Sequence, residues 1–188
     1  MATTHRTLPT KLMHAALLLS VLWQLGASGL VERPRAGQPG NAFYEIHQIV
    51  GLTTLGLVLA FWLWSVVRRR ETPLMALFPW FSRPRVSAVL ADLKFHWALL
   101  RQRRLPDGDA ETPLASAVHG LGLLTVLAMG ATGAWLYTQS VPAGLGLEVH
   151  KAVANLMWAY VVGHAGLALL HQATGHPVLK RMFGGGRP

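Results

Sequence analysis

No cysteine occurs among the 188 residues. That absence excludes disulfides, thiolate-held iron–sulfur clusters and the C-x-x-C-H attachment of haem. Any metal must be held by histidine, carboxylate, methionine or backbone oxygen. Acidic side chains are also scarce, eight against seventeen Lys and Arg, and charged residues of either sign make up only 13% of the chain. So little charge, on a chain that is 52% hydrophobic with a mean hydropathy of +0.34, is the composition of a membrane protein rather than of a soluble or disordered one. The length suits one domain, residues 1–188. The net charge of +9 could suggest nucleic acid. Its distribution indicates a membrane surface instead, and no nucleic-acid partner is expected.

Four apolar segments, about 12–31, 44–67, 114–137 and 149–174, are long enough to cross a hydrocarbon layer, which takes about 20 residues. The first reads as a span and not as a cleaved signal peptide, because its apolar run is long and carries Trp23 and Gln24 near its end. Trp135 and Tyr137 close the third, as expected of an interfacial belt. Of the seventeen Lys and Arg, only Arg33, Arg35 and Lys151 fall on one proposed side. The other fourteen lie in the N-terminal arm, the link 68–113 and the tail. Since cations are retained inside, both termini and the link are expected in the cytoplasm. Within the link, Val86, Val89, Leu90, Leu93, Trp97 and Leu100 recur at helical spacing, so an amphipathic helix is expected over about 83–104. The expected fold is all-α, an integral membrane four-helix bundle.

The chemistry-bearing residues are histidines. In the fourth segment His150, His164 and His171 are separated by fourteen and then seven residues. At about 100° per residue both steps return to nearly the same helix face. A histidine in a membrane-length apolar helix is costly and normally points inward at a partner. The alternating direction of the spans sets depths. His47 and His150 match near the outer face, and His14 and His164 match further in. His119 and His171 remain, both near the cytoplasmic side. Two imidazoles facing each other from different helices suit the axial positions of a non-covalently held b haem. Gly51, Gly56, Gly120, Gly122, Gly130, Gly133, Gly163 and Gly166 could make room for a macrocycle, though each also serves close helix packing. A non-haem metal site is the chemical alternative, but such sites usually add carboxylate or Cys. Glu45 and Glu148 are near the outer pair in sequence, and no acid is near the inner one. His5, His96 and His176 are assigned no role.

This pattern resembles the bacterial cytochrome b561 proteins, which share a domain with the cytochrome b subunits of nickel–iron hydrogenases. The residues that carry it are His14, His47 and the run from His150 to His164, with Ala154-Asn155-Leu156 inside it. The resemblance implies two b haems in the bacterial inner membrane, His47 and His150 holding the outer one and His14 and His164 the inner. It also implies a cytoplasmic-side quinone site at His119 and His171. The sequence departs from the family where Ala15 follows His14 in place of a frequent Trp, and where the loop 138–147 has no basic residue.

The expected function is therefore electron transfer across the membrane, between a quinone on the cytoplasmic side and an outer-side redox protein. The first alternative is a superoxide:ubiquinone oxidoreductase, for which Lys151, Arg33 and Arg35 would have to guide the anion. The others are a non-haem metal transporter and a haem-free assembly subunit. The charge distribution gives a direct test of sidedness. Reporter fusions at Gly108 and Pro188 should behave as cytoplasmic and one at Gly37 as periplasmic. A periplasmic signal at Gly108 would invert every depth assignment above.

Overall fold

The computed structural model describes residues 6–68, 71–104 and 112–183. His5 and residues 69–70 and 105–111 of the link lie outside it. The chain is all-helical, with no β-strand among the described residues. Among the described residues four helices are long and apolar enough to cross a membrane: α1 (Leu8–Ala27, extended by a 3-10 turn to Leu30), α2 (Ala42–Val67), α5 (Pro113–Tyr137) and α6 (Gly144–Ala173). Between the second and third of these lie α3 (Leu74–Leu77), a 3-10 turn and α4 (Arg83–Arg101), and α7 (Val178–Phe183) follows α6. Large apolar side chains such as Leu19 (68% exposed) and Leu63 (71%) stand on the outside of the long helices. That arrangement is unfavourable in water and natural against lipid tails.

The helix ends differ from the sequence expectation for local reasons. α1 begins at Leu8 rather than about residue 12, because Pro9 fits a first helical turn, where its missing N–H would have had no partner. α2 begins at Ala42, capped by Asn41, whose Oδ1 accepts from the Tyr44 amide at 3.0 Å. α4 stops at Arg101 instead of about 104; Arg103 takes a positive φ of 57° just beyond it. α6 begins at Gly144, five residues before the expected 149. Gly144 makes the turn with a φ of 68°. Gly146 then admits the Trp135 ring so closely that a Cβ would sit 1.5 Å from its Cζ3.

The chain divides into two compact units. One comprises Met1–Lys11, Trp64–Gly122 and Val161–Pro188. Its polar centre is Glu71, whose side chain is 1% exposed. The Glu71 carboxylate accepts from the Thr7 amide at 3.0 Å, from the Thr10 hydroxyl at 2.9 Å and from the Thr7 hydroxyl. Thr7 is also the residue whose carbonyl accepts the first bond of α1, from the Lys11 amide. An anion at this end complements the helix dipole. Arg68 and Arg6 stand 3.5 and 3.8 Å from Glu71 Oε2. Burial pushes the Arg68 pKa down, Glu71 pushes it back up, and Arg6 lowers it again. Trp64 Nε1 donates to Thr10 Oγ1 at 2.8 Å, which ties the end of α2 to the same cluster. Elsewhere in this unit Asp92 of α4 accepts the Leu114 amide at 2.9 Å and so caps α5. Gly120 of α5 passes Leu77 so closely that a Cβ would lie 1.9 Å from its carbonyl oxygen.

The other unit comprises Leu12–Leu63 and Leu123–Tyr160. Its buried apolar residues include Leu17, Leu25, Val58, Phe61, Val126, Leu136 and Met157. Gly130 abuts Leu55, whose Cβ would be 2.9 Å from an added methyl. Asn41 fastens the loop before α2, donating to the Leu30 carbonyl at 2.8 Å. Arg33 donates to the Pro142 carbonyl at 2.8 Å, joining the two loops of this unit.

The Glu71 cluster gives a stability prediction. Glu71→Ala leaves the half-buried Arg6 and Arg68 without their carboxylate, which should cost on the order of 3 kcal/mol. The midpoint of thermal unfolding in detergent should fall by several degrees. An unchanged midpoint would mean that water already compensates the arginines.

Candidate functional site

In the unit formed by Leu12–Leu63 and Leu123–Tyr160, α2 and α6 bring His47 and His150 together. Their ring centres are 6.3 Å apart and the ring planes are nearly perpendicular, at 81°. Both line a cavity of about 410 Å³ together with Gln24, Gly51, Gly130 and Gly133. Arg33, Arg35 and Lys151 line the same cavity. The two rings are held differently. His150 Nδ1 lies 2.8 Å from the Thr132 hydroxyl of α5. Gly133 beside it makes room for the ring, since a Cβ there would come within 3.3 Å of His150 Cε1. His47 is gripped by its backbone: Gln24 Nε2 donates to the His47 carbonyl at 2.8 Å. Gly51 is what lets Gln24 reach across, because a Cβ there would be 2.8 Å from that nitrogen. His47 Nδ1 and Gln24 Oε1 are both buried without a hydrogen bond among the described residues. His14, on α1, belongs to this unit and is half-buried.

The unit formed by Met1–Lys11, Trp64–Gly122 and Val161–Pro188 holds the other candidates. His119 and His164 meet edge to face, 5.1 Å between centres at 80°. His119 Nδ1 donates to the Ala115 carbonyl at 2.7 Å, which leaves Nε2 as its acceptor nitrogen. His171 is only 8% exposed, so the seven-residue step from His164 does keep it on an inward face. His176 lies against it, ring centres 5.6 Å apart at 83°. No role was expected of His176. Its amide donates to the His171 carbonyl at 2.9 Å, across the turn at Gly175.

The spacing of the rings decides what each pair can hold. Two imidazole–metal bonds of about 2.0–2.1 Å, plus roughly 1.1 Å from each nitrogen to its ring centre, require about 6.3 Å between centres. His47 and His150 meet that requirement. His119 and His164, at 5.1 Å, are too close for a metal held in line between them. Among the described residues no three His, Asp or Glu side chains converge on a point, as a zinc site would need. A two-imidazole site with an apolar slot beside it fits a haem, whose macrocycle supplies the other four ligands. The cavity volume lies in the range of cofactor sites. Thr132 is the site residue that sequence reasoning missed. Its signal was a hydroxyl in a spanning helix that also carries Ser116 and Thr125, and threonine in a helix commonly satisfies itself on its own backbone.

Spanning helices that carry a half-buried imidazole pair beside an apolar slot have the features of a membrane cytochrome. The chain belongs to the prokaryotic cytochrome b561 family, whose model matches residues 5–185. No curated protein and no solved structure matches it significantly. Membership makes it a multi-pass membrane cytochrome of the b type, which binds haem b and acts in electron transfer.

Proposed function

We propose that the protein holds two b haems and carries electrons between a quinone on the cytoplasmic side and a redox partner on the outer side of the bacterial inner membrane. His47 and His150 are the outer axial ligands in this reading, and His14 and His164 the inner ones. The observation that carries it is the 6.3 Å separation of His47 and His150 across their shared cavity. When bound, the haem supplies reversible one-electron transfer at its iron. The chain does the rest. Its imidazoles fix the position of the iron, and the leucine and valine faces of the long helices exclude water from it. Quinone chemistry also needs protons, and His119 and His171 are the groups proposed to exchange them, since imidazole titrates near neutral pH. His176 is placed to hold the His171 ring.

One observation favours a second reading, in which the outer electron donor is superoxide rather than a protein. Arg33, Arg35 and Lys151 line the same cavity as the outer pair, against one acid there, Glu32, with Lys151 also paired to Glu148 at 2.9 Å. Cations around a cavity with low-dielectric walls concentrate a small anion there. Turnover of superoxide and quinone with no protein partner present separates the two readings.

Redox difference spectra with haem quantitation test the assignment. The wild-type protein should contain two low-spin b haems per chain. His150→Ala should lose the outer haem and keep the inner one, and His14→Ala the reverse. If His47→Ala and His14→Ala disturbed the same haem, the pairing would be wrong. For the quinone site, His119→Ala and His171→Ala should retain both haems but slow haem reduction by a quinol in stopped flow. Unchanged rates in both would remove these residues from the proton path.

A further inference from the structure

We infer that Thr132 is a positioning residue for the outer haem, acting by fixing the tautomer and the rotation of His150. The inference rests on the reading of His47 and His150 as axial ligands.

The argument is one of proton accounting. Thr132 Oγ1 has three polar neighbours: the Ala128 carbonyl at 2.7 Å, the Met129 carbonyl at 3.1 Å and His150 Nδ1 at 2.8 Å. The hydroxyl has one proton to give and two lone pairs with which to accept. Carbonyl oxygens cannot donate, so the threonine proton must go to them. Were it turned toward His150, two oxygen lone pairs would face Oγ1 at hydrogen-bond distance with no proton between. The contact with His150 is therefore a bond in which Nδ1–H donates and Oγ1 accepts. An imidazole with its proton on Nδ1 has its lone pair on Nε2, the nitrogen left to meet a metal.

The seat is built from two consecutive residues of α5. Thr132 accepts the hydrogen bond from Nδ1–H, and Gly133 supplies the space that the Cε1 edge of the ring needs. The backbone bonds hold the hydroxyl itself at a fixed rotation, so it cannot turn to offer His150 a proton in place of a lone pair. A metal-bound histidine generally gives its second N–H to such an acceptor, which orients the ring and raises the basicity of the ligating nitrogen. His47 has no equivalent: its Nδ1 is buried and makes no hydrogen bond among the described residues. The two ligands of one iron are thus unequal. His150 is the pre-oriented partner, and His47 is positioned through its backbone carbonyl by Gln24.

Thr132→Val keeps the shape and removes the acceptor; Thr132→Ser keeps the acceptor. The full-length protein would be purified in detergent after expression with limiting and with saturating haem supply. Haem per chain, the low-spin electron paramagnetic resonance signals and the midpoint potentials would be measured for each variant. Thr132→Val should bind the outer haem on the order of 10- to 100-fold more weakly, with a shifted outer signal and potential. The inner haem should be unchanged, and Thr132→Ser should restore the wild-type values. Wild-type haem content, signals and potentials in Thr132→Val would overturn the inference while leaving the ligand assignment standing. Equal losses in Thr132→Val and Thr132→Ser would also overturn it, since packing rather than the hydroxyl would then be responsible. A His150→Ala variant that keeps its full haem content would overturn the ligand assignment and this inference together.

Discussion

An imidazole inside a hydrocarbon layer has two nitrogens to satisfy and no water with which to do it. That constraint organises the site. Each ring must find a hydrogen-bond partner, another ring or a metal, and the helices must stand where these meet. His150 answers with Thr132, and His119 answers with the carbonyl one turn before it. The glycines are a consequence. Gly51 lies where a Cβ would come within 2.8 Å of the Gln24 amide nitrogen, and Gly133 where one would press on the His150 ring at 3.3 Å. Leucine or valine at either place would fit lipid equally well and would close the approach.

The second organising charge is outside the spans. Glu71 accepts from both the backbone and the hydroxyl of Thr7 at the start of α1, and it neutralises two arginines, one from the N-terminal arm and one from the end of α2. Cations would be an electrostatic liability here if buried alone, and the carboxylate converts them into a fastening.

How much of this was legible depends on the range of the signal. The four spans were readable because hydropathy over about 20 residues is a local property. The nearness of His47 to His150 was readable because alternating spans convert sequence position into depth. The ends of α1 and α6 were not, since they depend on Pro9 tolerating a first turn and on a tryptophan ring lying over Gly146. Glu71 could not be found from sequence, because its hydrogen-bond partners are 61 and 64 residues away in a segment with no matching pattern. Thr132 was hidden for the opposite reason. Its bonds to Ala128 and Met129 are so ordinary for a helical threonine that its third contact has no signature. His176 lay just past the end of the apolar stripe, where periodicity stops being informative.

The close approach of Gly146 to the Trp135 ring has a consequence for how this region can vary. Thr132 and His150 lie on opposite arms of one hairpin, and that contact lies between them along both arms. It acts as an index mark that sets α5 and α6 in register. Residues added in the loop between Tyr137 and Gly144 fall outside the mark and can bulge away without moving either side chain. One residue added within α5 between Thr132 and Trp135 would turn the threonine about 100° around its helix relative to the mark. Length changes in this hairpin should therefore be permitted in the loop and forbidden in the three residues that follow Thr132.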